Sequence, residues 1–399
     1  MWRCIAIFNR QRIWIWIILS ICFILISCSA TEEGKYRANE NRNVTLKAKN
    51  PMIIKEVKEI TLSAVGDILI HDRVYDDAET ANGYDFMPML EHVKPFLNDT
   101  MITFANQETM IGGEKLGLSG YPAFNSPTEI GDALKEVGVD VVSIANNHTL
   151  DRGEAVIQAA IKYWDEMDMM YVGAYQDEKD RDTLRVYETK EGVSVAFLAY
   201  TYGTNGINVP KGKDYLVNYI DKKSIAKAID EAKEKADVTV LSLHFGEEYE
   251  RMPNKKQKDL VQFAADQGVE IVLGHHPHVL QPMEWVEGKA GNETFVIYSL
   301  GNFLSGQKEL HQRIGGIVKM TIKQTTTEEK ETIEVTDPQF MLTYVHDDDE
   351  HNYEVIPMHQ LTDDILKNKD KHYKEMQKHM SQWMPELEFL EGDKNDASL

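Results

Sequence analysis

The sequence predicts an α/β fold in which a sheet is covered by helices on both sides, and three observations support this prediction. From about residue 59, short apolar runs alternate with longer segments of helical period, the pattern of βα units. Several of these runs are apolar on both faces, as in strands that are buried on both sides. A chain of 399 residues with 42% hydrophobic content can also bury a sizeable core.

The chain begins with a predicted lipoprotein signal peptide, residues 1–28. A basic start with Arg3, Arg10 and Arg12 precedes the apolar run "IWIWIILSICFILIS" and then Cys28. The run has the length of a signal-peptide core and is short for a membrane span of ~20 residues. The residues "LISC" resemble a bacterial lipobox, in which Cys28 is lipidated and becomes the mature amino terminus. The alternative is an uncleaved signal anchor, and both place the body at the extracytoplasmic face of the cell membrane.

Composition excludes two classes of protein. All three cysteines lie in the leader, at Cys4, Cys22 and Cys28, so the exported body has no disulfide and no cysteine nucleophile or ligand. The net charge of −22 opposes nucleic acid, because phosphate binding needs clustered positive charge. It also opposes anionic lipid headgroups, so membrane attachment has to come from the leader.

The elements follow in order. Residues 29–58 are polar and predict a flexible tether. The predicted strands are "ITLSAVGD", "MITFAN", "VDVVSIANNH", "MMYVGA", "VSVAFLAYT", "VTVLSLHFG", "VEIVLGHH" and "TFVIYSLGN". The predicted helices are "SPTEIGDALKEVG", "RGEAVIQAAIKYWDEM", "DKKSIAKAIDEAKEKA" and "NKKQKDLVQFAADQG".

The carboxyl-terminal part carries weaker signals. The segments "GGIVKMTIKQ" and "ETIEVTDPQFMLTYV" alternate apolar and polar residues and predict an antiparallel pair, and "LTDDILKNKDKHYKEMQKHMSQW" predicts a helix. We therefore predict one main domain over residues 59–325, followed by a small β/α extension and acidic tail over residues 326–399.

Polar side chains cluster at the ends of the predicted strands. In open α/β sheets ligands bind at the carboxyl ends of the strands, so these groups are expected to meet at one edge. Imidazole and carboxylate together favour Mn, Fe, Zn or Co, bound as one or two ions. The residues are Asp67, Asn106, Glu108, Asn147, His148, His244, His275, His276 and His278.

The segment "GHHPH" holds three of these histidines. In an extended backbone His276 and His278 would point the same way and His275 the opposite way. This favours His276 and His278 as the ligand pair and leaves His275 to support them or to pack, unless the backbone turns at Pro277.

The set "SAVGDILIHD", "FANQET", "SIANNHTLDRG", "LSLHFGEEY", "VLGHHPHVLQPMEW" and "IYSLGNF" closely resembles the CapA family of poly-gamma-glutamate capsule biosynthesis proteins. This family lies within the calcineurin-like metallophosphoesterase superfamily. The resemblance runs from about Ile60 to about Gly306. It implies a four-layer αββα sandwich of the metallophosphoesterase type, with a metal site at one sheet edge.

The resemblance also implies roles for individual residues. Asn147 matches an asparagine ligand that is followed by a catalytic histidine, here His148. His244 matches a later single histidine ligand, and the final histidine pair falls on His276 and His278.

Two departures from the superfamily pattern concern the first metal position. The opening motif is Asp-x-His, but the second residue after Asp67 is Leu69, so one histidine ligand is missing. His71 is a candidate substitute, although its spacing from Asp67 does not suit one strand face. The usual carboxylate motif is replaced by Asn106-Gln107-Glu108, which makes Glu108 the expected ligand.

The remaining residues are given supporting roles. His148 is expected to supply a proton to a leaving group, and Asp151 either orients that imidazole or caps the next helix. Glu248 and Tyr249 either touch substrate at the rim or are solvated loop residues. The expected set around the ligands or in contact with substrate is Asn106, His275, Glu248 and Asn302.

The expected function is synthesis or export of poly-gamma-glutamate or a related envelope polymer, alongside membrane-bound synthase subunits. Two hypotheses remain open. In the first, a lipid-anchored protein hydrolyses or transfers a bond with its metal, by phosphoesterase-like or gamma-glutamyl amide chemistry. In the second, it is a non-catalytic accessory subunit of a membrane polyglutamate synthase, with the metal as part of its structure.

Overall fold

The computed structural model describes residues 53–391. The predicted signal peptide with Cys28, the tether up to residue 52 and the last acidic residues lie outside the described residues, so those predictions remain predictions. Within residues 53–391, none of the helices combines the length and the apolar character needed to cross a membrane.

The strands are distributed along the whole described chain. They are β1 (Ile54–Leu69), β2 (Glu79–Thr80), β3 (Gly83–Tyr84), β4 (Ile102–Gln107), β5 (Val141–Ser143), β6 (Met170–Val172), β7 (Arg185–Glu188), β8 (Ser194–Thr201), β9 (Val238–His244), β10 (Ile271–His275), β11 (Leu280–Glu287), β12 (Glu293–Leu300), β13 (Asn302–Ser305), β14 (Ile314–Thr327), β15 (Glu331–His346), β16 (Glu354–Pro357) and β17 (Glu388–Phe389).

The helices lie mainly between the strands. They are α1 (Asp72–Asp77), α2 (Met87–Leu90), α3 (Lys94–Leu97), α4 (Glu129–Glu136), α5 (Glu154–Glu166), α6 (Glu178–Arg181), α7 (Lys222–Lys235), α8 (Lys255–Gln267) and α9 (Lys369–Met380). All the predicted strands and helices of the main domain are present.

The strands form two large sheets. A nine-stranded sheet has the order β16-β15-β14-β1-β4-β5-β6, with β13 also paired to β1 and β17 to β15. A six-stranded sheet has the order β11-β12-β10-β9-β8-β7. The neighbours β1, β4, β5 and β6 run parallel, as do β8, β9, β10 and β12, so each sheet collects several strand carboxyl ends at one edge.

Alternating side chains show how the layers stack. In the six-stranded sheet, Phe197 and Val240 belong to the core shared with the other sheet, and the Phe197 ring stacks on Phe104 of β4 at 5.8 Å between centroids. The intervening Leu198 and Leu241 instead join a second core with residues of α7 and α8. On the other side, α5 packs against β6 of the nine-stranded sheet. The predicted αββα sandwich is confirmed.

Two boundaries differ from the sequence prediction. β1 begins at Ile54, inside the segment predicted as a tether, and β14 continues across the predicted domain boundary at residue 325. The two strands pair antiparallel, from Ile54 opposite Thr327 to Val65 opposite Ile317. The hydrogen bonds of this ladder hold the polar start of β1 in a strand conformation. The carboxyl-terminal strand pair is therefore part of the main sheet. The predicted last helix is shorter than expected, because it begins only at Lys369.

A glycine pair brings two strands together at the functional edge. A Cβ built on Gly66 would lie 1.9 Å from the carbonyl oxygen of Gly301, so no other residue fits without a backbone shift. This close approach allows the Asp67 amide to donate to the Gly301 carbonyl at 2.8 Å. Asp67 is thereby fixed beside Asn302, its register partner on β13.

A half-buried carboxyl at the start of β10 makes the stability of the fold depend on pH. Glu270 accepts a hydrogen bond from the Thr239 amide at 2.8 Å, and burial raises the pKa of its carboxyl to about 7. The folded protein therefore keeps this proton at a pH where an unfolded glutamate, with its ordinary pKa of 4.5, has lost it. Stability is consequently lost as the pH rises between these two values.

We predict that Glu270→Gln removes this loss while keeping the acceptor oxygen. The variant should be more stable than the parent at pH 8, by about 1 kcal/mol once partial solvent exposure is considered, and close to it at pH 4.5. Urea unfolding midpoints at both pH values test this. The exposed Glu293→Gln is the control, and parallel pH profiles for parent and Glu270→Gln would contradict the prediction.

Candidate metal centre

Asp67 lies at the centre of the polar cluster, fully buried at the end of β1. Its Oδ1 accepts a hydrogen bond from Asn106 Nδ2 at 2.9 Å, and its Oδ2 lies 3.2 Å from His278 Nδ1. The His276 amide donates to the same Oδ2 at 3.3 Å. Strand β1, strand β4 and the histidine segment therefore all meet at this one carboxylate.

Glu108 follows β4 and points into the same space. Its Oε1 lies 3.6 Å from His244 Nε2 and 3.7 Å from His278 Nε2. Both carboxylate oxygens are buried without a hydrogen-bond partner, as is His276 Nδ1. Buried polar atoms are normally satisfied, so these unpartnered oxygen and nitrogen atoms fit a cation-binding site.

Two groups of donor atoms share Glu108. In one, Glu108 lies with His244 and His276, and in the other with Asp67 and His278, with all ligand atoms of each group within 4.8 Å of one another. Asn147 Oδ1 lies 2.7 Å from His244 Nε2 and so adjoins the first group. All the predicted ligands are therefore brought together, in two groups of possible metal ligands that share Glu108.

The histidine segment does not have the extended backbone on which the sequence argument depended. His275 ends β10, and the chain then turns, with φ of 99° at His276 and 57° at His278. As a result His275 does not face away: its Nδ1 lies 3.5 Å from Asp67 Oδ1. The sequence prediction excepted a backbone turn in this segment, and with the turn present His275 lies on the side of Asp67. Its placement beside Asp67 agrees with a supporting role.

His148 forms a pair with a buried carboxylate. Its Nδ1 lies 2.7 Å from Asp151 Oδ2, and that oxygen also accepts the Phe124 amide at 2.8 Å. Asp151 does not cap the next helix, because α5 begins at Glu154 with Gly153 as its N-cap. The structure thus favours the orienting alternative. With Nδ1 donating to Asp151, His148 Nε2 is left free for proton transfer.

Two of the remaining predicted residues contact the ligand set, and one candidate does not. Asn302 Oδ1 lies 3.1 Å from His278 Nδ1, and the exposed Glu248 forms a third candidate metal group with His276 and His278. His71 instead directs Nδ1 at the Leu69 carbonyl, 3.0 Å away, and belongs to none of the candidate metal groups of residues 53–391.

In the second group, formed by Asp67, Glu108 and His278, burial and neighbouring charges shift the side-chain pKa values. Burial raises the pKa of Glu108 well above its usual range, against the opposing effect of His278. Burial also disfavours charge on His278, but the charges of Glu108 and Asp67 raise the pKa of His278 to about 9. Without metal, a protonated His278 imidazole beside the Asp67 carboxylate therefore supplies positive charge in this group.

The histidines of the other group are held neutral. Burial, together with the nearby His278, lowers the pKa of His276 to about 3. Burial and the neighbouring His276 likewise put the pKa of His244 well below its usual value. Neutral imidazole is the form that binds metal, so these two histidines are in the ligand state at neutral pH.

Sequence reasoning missed two residues of the loop after β8. Asn205 accepts a hydrogen bond from Asn147 Nδ2 at 3.3 Å and lies 3.4 Å from His148 Nδ1. Tyr202 lies over His276, with 4.6 Å between ring centroids. The available signal was the Asn205-Gly206 turn after the carboxyl end of a strand, the same position that identified the other site residues.

The geometry coincides with a family match over the same part of the chain. Residues 61–307 match the family described as bacterial capsule synthesis protein PGA_cap. This chain belongs to the PGA_cap family. The match includes every predicted ligand as well as Glu248 and Asn302, and it ends before the last strands of the nine-stranded sheet.

Two relatives agree with this membership in the PGA_cap family. The chain is 30% identical over 287 residues to the capsule biosynthesis protein CapA of Bacillus anthracis, covering 69% of this chain and 67% of that one. It is 29% identical over 285 residues to the PGA biosynthesis protein CapA of Bacillus subtilis strain 168, covering 70% and 73%.

Among solved structures, a 5'-nucleotidase from Candida albicans SC5314 gives a TM-score of 0.37 at 13% identity, covering 65% of this chain and 47% of that chain. The nucleotidase is thus matched over less than half of its length, and no conclusion about function follows from it.

We predict that the His276→Ala, His278→Ala double variant loses bound metal. The parent, purified with transition metals supplied, should carry a near-stoichiometric ion. Each candidate metal group contains His276 or His278, so the double variant should retain less than about a tenth of it. Elemental analysis of the full-length protein measures this. The surface double variant His92→Ala, His351→Ala is the control, and a parent that carries no metal would contradict the prediction.

Proposed function

We propose that this chain is a membrane-anchored extracytoplasmic protein that acts in the synthesis or export of poly-gamma-glutamate, through a metal-dependent site of the hydrolase or phosphoesterase type. Membership in the capsule synthesis family and the similarity to two CapA proteins support the capsule role. The observation that supports catalysis is the contact of 2.7 Å between His148 and Asp151, directly beside the predicted ligand Asn147.

The site has the parts that hydrolysis of an ester or amide needs. A bound divalent ion, Mn, Fe, Zn or Co, would supply an activated water and stabilise negative charge on oxygen. The side chains that hold it would be Asp67, Glu108, Asn147, His244, His276 and His278. These six come from the ends of five strands in two sheets, so the donor set is preorganised by the sandwich.

Proton transfer is the part that this chain's own residues would perform. Asp151 accepts from His148 Nδ1 and fixes the tautomer and the orientation of the ring. When Nε2 is protonated as well, the imidazolium is stabilised by the Asp151 carboxylate and can give its Nε2 proton to the leaving group, which leaves neutral His148. Asn205, which touches both Asn147 and His148, holds the ligand and the acid in a fixed relation.

The alternative is a non-catalytic accessory subunit of a membrane polyglutamate synthase with a structural metal. The observation that favours it is Leu69, a buried apolar residue where the related phosphoesterases carry a ligand. A net charge of −22 also opposes tight binding of a polyanion, which suits transient handoff. A metal-free preparation that still supports polymer export would favour this alternative.

We predict that His148→Ala lowers hydrolysis by about 10²–10⁴-fold with metal content unchanged, because it removes the proton donor without removing a ligand. The assay is turnover of phosphoesters and gamma-glutamyl amides by the metal-loaded full-length protein, with elemental analysis of the same samples. His92→Ala, on the surface, should match the parent. Equal hydrolysis rates for the parent and His148→Ala would contradict a catalytic role for His148.

We predict that Cys28 carries the lipid. Cells fed radiolabelled palmitate should label the parent but not Cys28→Ala, because the fatty-acid-bearing lipid is attached through this thiol. Cys22→Ala, a change within the same apolar leader, should still be labelled. An unlabelled parent that remains in the membrane fraction would instead favour an uncleaved signal anchor.

A further inference from the structure

The third candidate metal group differs from the other two in its exposure. Here a carboxylate oxygen of Glu248 and ring nitrogens of His276 and His278 lie within 4.8 Å of one another. Glu248 is exposed, whereas the members of the other two groups are buried. Glu248 therefore approaches the histidines from the solvent side.

The two histidines of this third group belong to different buried groups. His276 belongs to the group with His244, and His278 to the group with Asp67. A carboxylate within reach of both is placed to bind either ion or to bridge them. His276 Nδ1 is buried and has no hydrogen-bond partner, which leaves an unsatisfied ligand atom on this segment.

The backbone around Glu248 is tied to the histidine segment. The Tyr249 amide donates to the Pro277 carbonyl at 2.8 Å, and the Phe245 amide donates to the His275 carbonyl at 3.1 Å. Tyr249 adopts φ of 68°, a left-handed conformation that is costly for a tyrosine. The loop that presents Glu248 is thus held at the site by bonds on both sides of it.

The negative charge of Glu248 would help to balance the positive charge of bound metal ions. Two divalent ions would bring four positive charges, and the buried ligands supply only the two carboxylates of Asp67 and Glu108. Among residues 53–391, Glu248 forms no ion pair with a lysine or arginine, whereas the nearby Arg251 pairs with Glu375 at 3.3 Å. An acidic ligand on the open side reduces the excess charge and raises affinity for the ions.

We propose that Glu248 is a metal ligand that closes the centre on its solvent side, binding the ion or ions held by His276 and His278. The inference rests on the proposed metal site and adds a ligand to it.

The test is titration of metal-free full-length protein with Co²⁺, followed by its visible absorption bands, which report ligand number and type independently of turnover. Compared with the parent, Glu248→Gln should bind Co²⁺ at its weakest site with an affinity lower by at least about 10-fold, and its visible absorption bands should differ. Glu247→Gln removes the same charge from the same loop and should behave as the parent. Circular dichroism of the metal-free variants checks that the fold is retained.

Each outcome separates this inference from the site on which it rests. If the parent binds no Co²⁺, the metal centre and the role of Glu248 are both overturned. If the parent binds and Glu248→Gln gives the same affinity and bands, only the role of Glu248 is overturned, even when its KM for a substrate changes. If Glu247→Gln weakens Co²⁺ binding as much as Glu248→Gln does, the effect comes from the charge of the loop, and the role of Glu248 as a ligand is overturned.

Discussion

The burial of two carboxylates between two sheets is the constraint on which the site depends. Asp67 and Glu108 are both fully removed from solvent, and burying an ionised carboxylate is costly unless cations or donors compensate it. The surrounding imidazoles and amides provide part of that compensation. The arrangement is stable because the glycine contact at Gly66 and the pairing of β1 with β4 and β13 fix Asp67 from three directions.

Much of this architecture could be predicted from sequence, because its determinants are local. The apolar runs identify the buried strands, and Asp67, Glu108 and His244 are recognisable as polar residues placed where a buried strand ends. The two-sheet arrangement was inferred through family resemblance, since periodicity alone does not assign a strand to one sheet or the other. The polar start of β1 at Ile54 was missed because only its ladder with β14 makes it a strand.

The site's finer geometry depends on backbone turns and loops that carry little local signal. The positive φ values at His276 and His278 take this segment out of the extended conformation, and an alternation rule for an extended chain then does not assign the faces of its histidines. Asn205 reaches Asn147 and His148 from another sheet, a contact between distant parts of the chain. In each case a tertiary contact decides the conformation of a segment with weak intrinsic preference.

The length of β1 has a mechanical consequence. Its 16 residues span about 50 Å, and the site carboxylate Asp67 lies about 43 Å along the strand from Ile54. A force applied along the chain at Ile54 would load the ladder between β1 and β14 in shear, with many hydrogen bonds sharing the load. Tension on this end would therefore be carried through the central strand toward Asp67, so the strand would both bear the load and hold a ligand.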